Sequence, residues 1–174
     1  MCCENNVLKG IIVALALVFI IVLILIIVNN GGNNGGSKNI LVAVAEPGDN
    51  TTLGTTDIKF SRNEIVEGTA LSHGEGSSII NINETGIYQI SYQLYGVQDV
   101  AGTFNFNAVL VVNNTALNDT FNQSPVIRNS TSNRMTLTST VILRLNSGDT
   151  LQLQGVSLED IAYENARIDI EKIG

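Results

Sequence analysis

Hydrophobic and polar positions follow two different rules along this chain, with a short break between them. Residues 10–28, GIIVALALVFIIVLILIIV, carry no charge and almost no polarity. A helix resting on a core would keep one polar stripe, and this segment has none. From Ile11 to Val28 such a helix would extend about 27 Å at ~1.5 Å per residue, close to the ~30 Å of a bilayer's hydrocarbon core. The pattern predicts a transmembrane helix over 10–28, preceded by a short tail over 1–9. A cleaved signal peptide has a shorter apolar run, roughly 7–15 residues, and an A-x-A-like site. Here NNGGNNGGS follows instead, a flexible linker over 29–37.

From residue 38 to 174 the period is two, and the pattern is nearly all strand. NILVAVA (39–45) is apolar on both faces, and DIKF (57–60), GTALSH (68–73) and SSIINI (77–82) are short segments parted by turn residues. TGIYQISYQLYG (85–96) places Tyr88, Ile90, Tyr92 and Leu94 on one face, with Ile87, Gln89, Ser91, Gln93 and Tyr95 on the other. The second face is polar in the middle and apolar at both ends, so it is neither clearly dry nor clearly wet. TFNFNAVLVV (103–112) aligns Phe104 and Phe106 on one side, and RMTLTSTVILRL (134–145) sets apolar residues against threonines. TLQLQGV (150–156) alternates Leu151 and Leu153 with glutamines, and NARIDIEKI (165–173) alternates Ile168 and Ile170 with charges. Eight or more strands at this spacing, with turn clusters and no helical period between them, predict an antiparallel sandwich or barrel.

Composition narrows the chemistry. Nine basic residues against sixteen acidic ones give a formal charge of −7, and the basic ones form no patch, which argues against nucleic acid. Both cysteines stand at Cys2 and Cys3, so the strand-rich domain cannot rest on disulfides. Beside a membrane helix those two are candidate lipidation sites. Lys9 at the helix start and no basic residue beyond it until Lys38 favour an inner N-terminus and an exported C-terminal domain. His73 is the sole histidine; Ser72 beside it points to the opposite strand face and cannot serve it as a nucleophile. Neither a usual zinc set nor any cofactor motif is present, and no catalytic residue is assigned. The carboxylate pairs Glu64/Glu67 and Glu159/Asp160 read as solvated loops rather than a calcium site. N-x-S/T sequons stand at Asn50, Asn83, Asn113, Asn118, Asn122 and Asn129, which become glycosylation candidates in a eukaryotic secretory route.

GIYQISY (86–92) resembles the Gly-x-Tyr-x-Phe-x-aromatic signature of the tumour necrosis factor and complement-q-like superfamily, with Ile90 where Phe is usual. LRLNSGDTLQL (143–153) resembles the same superfamily's Gly-Asp hairpin leading into a leucine strand, and the terminal NARIDIEKIG also fits. The nearest likeness is to the C-terminal domains of collagen-like surface glycoproteins of bacterial spores. Two departures stand out: Ile80 and His73 occupy positions where the complement-like pattern has rings, and no collagen-like stalk precedes the domain. The resemblance implies an all-β, ten-strand jelly-roll sandwich assembling as a homotrimer. It implies a core holding Tyr88, Ile90, Tyr92, Phe104, Phe106, Leu151, Leu153, Ile168 and Ile170. It turns the other face of the Gly-x-Tyr strand, with Ile87, Gln89, Ser91, Gln93 and Tyr95, toward neighbouring subunits. Leu41 and Ala43 are expected to join that contact, since a strand apolar on both faces fits a sheet covered on each side.

The chain thus reads as a membrane-anchored, non-enzymatic surface protein whose head binds an extracellular protein or glycan, or coats a surface. Lys9-Gly10 before a long aliphatic helix also resembles a type IV pilin precursor, although Leu15 stands where bacterial pilins commonly carry glutamate. A filament subunit is the competing reading.

Overall fold

Period-two alternation becomes strand over most of the residues that the computed structural model describes, which are 38–47, 50–98, 102–130 and 133–174; DIKF (57–60) is an exception, with Asp57 ending a strand and Phe60 making only an isolated bridge to Ser77. The tail, the expected membrane helix at 10–28 and the linker lie outside them. Among the described residues no helix is long and apolar enough to cross a membrane.

In chain order the strands are β1 (Ile40–Ala45), β2 (Asn50–Asp57), β3 (Arg62–Glu67), β4 (Leu71–His73), β5 (Ile80–Ile82), β6 (Gly86–Gln98) and β7 (Gly102–Phe104). There follow β8 (Phe106–Val112), β9 (Thr115–Ala116), β10 (Asn122–Gln123), β11 (Ile127–Ser130), β12 (Asn133–Leu145) and β13 (Thr150–Lys172). All pairings between them are antiparallel. One layer runs β12–β6–β13–β1–β3. The other is built on β8, which pairs with β9, β10 and the first part of β13, while β5 pairs with β4 and the same part of β13.

β13 belongs to both layers. Its residues 151–157 pair with β8, and its residues 162–172 pair with β6. The sequence reads this span as two strands, 150–156 and 165–173. The backbone instead stays extended through 23 residues and carries register shifts where it changes partners. β3 was not expected at all: RNEIVE is mostly exposed and has no apolar face. Conversely, the expected strand 103–112 divides at Asn105 into β7 and β8. With these changes the described residues hold thirteen strand segments rather than ten.

The two layers enclose one core. β6 contributes Tyr88, Ile90, Tyr92 and Leu94, β13 contributes Leu151, Leu153, Ile168 and Ile170, and Phe104 and Phe106 come from β7 and β8. The two β6 core tyrosines keep their polar tips satisfied, with Tyr88 donating to the Glu84 carbonyl at 2.5 Å and Tyr92 to that of Thr120 at 3.2 Å. Rings stack edge-on from Phe104 through Phe106 to Tyr163, with centroids 5.4 and 5.9 Å apart. Two strand glycines make room for them. A methyl group on Gly96 would come within 2.9 Å of the Phe106 ring, and one on Gly155 within 2.6 Å of Tyr163. Burial pushes the Tyr163 phenol pKa well up.

Leu41 and Ala43 correct an expectation. Both are fully buried in this core, not placed at a subunit contact. Hydrophobicity alone could not orient β1, since both its faces are apolar; the register does. Leu41 lies opposite Ile170 and Ala43 opposite Ile168, both inward-facing, so Ile40, Val42 and Val44 face outward.

Candidate interaction face

The outward face of β12–β6–β13–β1–β3 can be read row by row from the register. One row runs Ile40, Glu171, Gln89, Ile142. The next runs Ile65, Val42, Asp169, Ser91, Thr140, and a third runs Val44, Arg167, Gln93, Thr138. Asn165, Tyr95 and Thr136 follow. At the other end Ile87 lies opposite Arg144 on β12, and its carbonyl accepts the backbone N–H of Ile173. The five β6 residues expected on this face therefore share it: Gln89 and Gln93 exposed, Ile87, Ser91 and Tyr95 half-buried.

Its middle carries a charge ladder. Arg167 reaches Glu64 at 2.6 Å and Asp169 at 2.9 Å, and Arg62 joins Glu64 at 3.3 Å. Asp169 and then Glu64, through their hydrogen bonds, hold the Arg167 proton more firmly than usual. These side chains remain partly wet, so each pair stabilises the fold by no more than about 1 kcal/mol. A concavity of about 530 Å³ lies beside the ladder, lined by Val44, Arg62, Gln93, Tyr95 and Arg167 among others. Exposed apolar residues flank the ladder: Ile142 on β12 is 62% exposed and Ile173 50%, both toward the other end, while Ile65 on β3, 42% exposed, shares the row of Asp169.

His73 lies off this face with both ring nitrogens engaged, Nδ1 2.7 Å from Asn63 Oδ1 and Nε2 3.0 Å from the Ser77 carbonyl. The Asn63 amide donates in turn to the His73 carbonyl at 3.0 Å, which locks the arrangement. Ser72 contacts Asn83, not the imidazole. Among the described residues no three metal-type ligands gather.

The sequons divide by what their amides do. Asn83 donates to the Thr69 carbonyl at 2.9 Å, Asn113 to Asp149 at 2.8 Å and Asn122 to the Thr138 carbonyl at 2.8 Å. A glycan on any of these would displace a contact that ties two segments together. Asn118 is exposed at the start of a short 3-10 turn (Asn118–Thr120). Asn50 and Asn129 lie in β2 and β11, and Cys2 and Cys3 lie outside the described residues. The stretch 113–129 contains β9, the 3-10 turn, β10 and part of β11. Its first turn was legible: Asn113 and Asn114 both take positive φ, 50° and 62°, as a two-residue hairpin between Val112 and Thr115 requires.

Closed sandwich, shared β13 and tyrosine-filled β6 together define a jelly roll of the tumour necrosis factor and complement-q-like class. Solved structures agree on the fold. The globular domain of zebrafish complement 1qA matches with a TM-score of 0.55 at 10% identity, over 79% of this chain and 98% of that one. Murine APRIL matches at 0.51 and 15% identity (78% and 100% covered), and the PRD1 vertex protein P5 at 0.50 and 17% (80% and 100%). Residues 40–174 match the family model of the BclA C-terminal domain, and the chain belongs to that family. Among curated proteins none matches in sequence.

Proposed function

We propose that residues 38–174 form the homotrimeric head of a membrane-anchored surface protein, one that acts by binding or coating and carries no enzymatic chemistry. The observation that carries this reading is the outward face described above. A monomer gains nothing by holding Ile142, Ile173 and Ile65 in water on the same face, whereas a second copy laid over them removes apolar area at roughly 25 cal/mol per Å². Gln89, Gln93 and the Arg167 ladder then supply hydrogen bonds and orientation within the contact. The apolar run 10–28 supports the anchor, and the linker lets the head stand just off a bilayer. Three identical heads make weak contacts with an extracellular protein or glycan add up. The filament reading turns on cleavage after Gly10, and membership of the BclA C-terminal domain family favours the surface head over it.

Light scattering across a dilution series tests the assembly on residues 37–174, a compact unit with its own closed core. A mass near three chains that persists on dilution is expected; a monomer at every concentration overturns the reading. Retention of the full chain in the membrane fraction after carbonate washing tests the anchor.

A further inference from the structure

On the outward face Arg62, Glu64, Arg167 and Asp169 already have partners within the chain. Four charges on this sheet do not. Among the described residues Arg144, Glu171, Glu67 and Glu164 form no side-chain hydrogen bond or ion pair. Glu164 lies seven residues from Glu171 along β13, toward the end of the sheet opposite Arg144. Arg144 is exposed on the edge strand β12, Glu171 is half-buried in the middle of the sheet on β13, and Glu67 is exposed on the opposite edge, β3. Arg144 and Glu171 cannot readily meet within one copy. β6 lies between their strands, which puts them about 10 Å apart laterally. Their registers also differ by two residues, Arg144 facing Ile87 and Glu171 facing Gln89.

We infer that Arg144 of one copy pairs with Glu171 of its neighbour, and that this pair sets the register of the subunit contact. The inference rests on the face-to-face association proposed above. Ile142 is next but one to Arg144 on β12's outward side and in the same row as Glu171, so any copy covering that isoleucine also strips water from both charges. A charge stripped of water without an opposite partner is costly. An identical copy offers few free opposite charges, and a β12 edge laid over the centre of the next sheet brings Arg144 onto Glu171. Repeated around a ring, the same step satisfies every copy. The guanidinium fork suits a carboxylate held in a fixed strand position. Glu67 sits at the far rim, where it stays hydrated and need not pair.

A charge-swap cycle on residues 37–174 tests this, with dissociation constants read by sedimentation or light scattering and folding checked by circular dichroism. Both side chains lie on the surface, so Arg144→Glu and Glu171→Arg should fold as the parent does. Each alone should weaken association by about tenfold or more, and the double variant should restore it to within about threefold. Glu67→Arg should leave it unchanged. If the parent assembles but the single swaps are silent, or the double fails to rescue, the pair is wrong while the face still stands. Rescue of Arg144→Glu by Glu67→Arg would move the contact to the sheet edges and overturn the pair. A parent that never assembles removes the face and the pair together.

Discussion

The two faces of the β12–β6–β13–β1–β3 sheet are made by the same strands and obey different logic. Inward, Tyr88, Ile90, Tyr92, Leu94, Leu41, Ala43, Ile168 and Ile170 form an unbroken dry surface whose every neighbour is supplied by the same chain. Outward, exposed isoleucines lie beside a charge ladder and beside charges with no partner. The inner face is solved by folding alone. The chain itself leaves the outer face uncovered; on the proposed reading a second copy covers it, and the mixture of apolar and unpaired charged positions would make that contact specific, since apolar area alone would accept any partner.

Substitutions can separate the two faces. The largest effect is expected from Ile90→Ala, which should destabilise the domain by about 2–5 kcal/mol in thermal or denaturant melts, because nothing fills the space it leaves. Ile142→Ala, on the outward face, should cost the unassembled domain less than about 0.5 kcal/mol and act on association instead. Gly155→Ala comes next: its new methyl drives into Tyr163, for an expected loss of about 1–3 kcal/mol, and Tyr163→Phe in the same background should not recover it, because ring carbons as well as the hydroxyl are in the way. Gln89→Arg and Tyr95→Asp should leave melting close to the parent while weakening self-association about tenfold, as charges placed in a desolvated contact do.

The smallest effect is a pH dependence. Glu84 accepts from Lys172 at 2.7 Å and from Thr69 at 2.9 Å, and these bonds, Lys172 first, lower its pKa below the ordinary 4.5. A carboxylate with a lowered folded pKa stabilises fully above its unfolded value and loses that contribution as the pH falls through the folded one. The parent should therefore outlast Glu84→Gln in melts above pH 4.5, and the two should converge in acid. A gap that stays constant across that range would show that the contact acts without charge.

Legibility followed the pattern strand by strand. β6 could be oriented from its sequence because apolar and polar residues alternate cleanly from Tyr88 to Leu94. β1 could not, because ILVAVA offers two apolar faces and only pairing with Ile168 and Ile170 chooses between them. β3 escaped notice since an edge strand needs little hydrophobicity to be held by a ladder of backbone bonds. The mosaic on the outward face was half visible in Ile87 and Tyr95. Ile142 and the unpaired Arg144 and Glu171 needed the register, which places residues distant in sequence in adjacent rows.

The shared strand also bears on how the protein can be made. β13 follows every other described strand, yet it pairs with β1, β2, β5, β6 and β8. Neither layer has its middle until that segment leaves the ribosome, so the sandwich closes only after residues 150–172 have been made. Contacts as distant as Ile40 with Glu171 place folding in the slow, millisecond-to-second range of all-β domains. During translation the nascent chain must hold β1, β6 and β8 unpaired on one side, so this is a protein whose yield in cells should respond to chaperones that bind exposed strands before it responds to the stability of the finished fold.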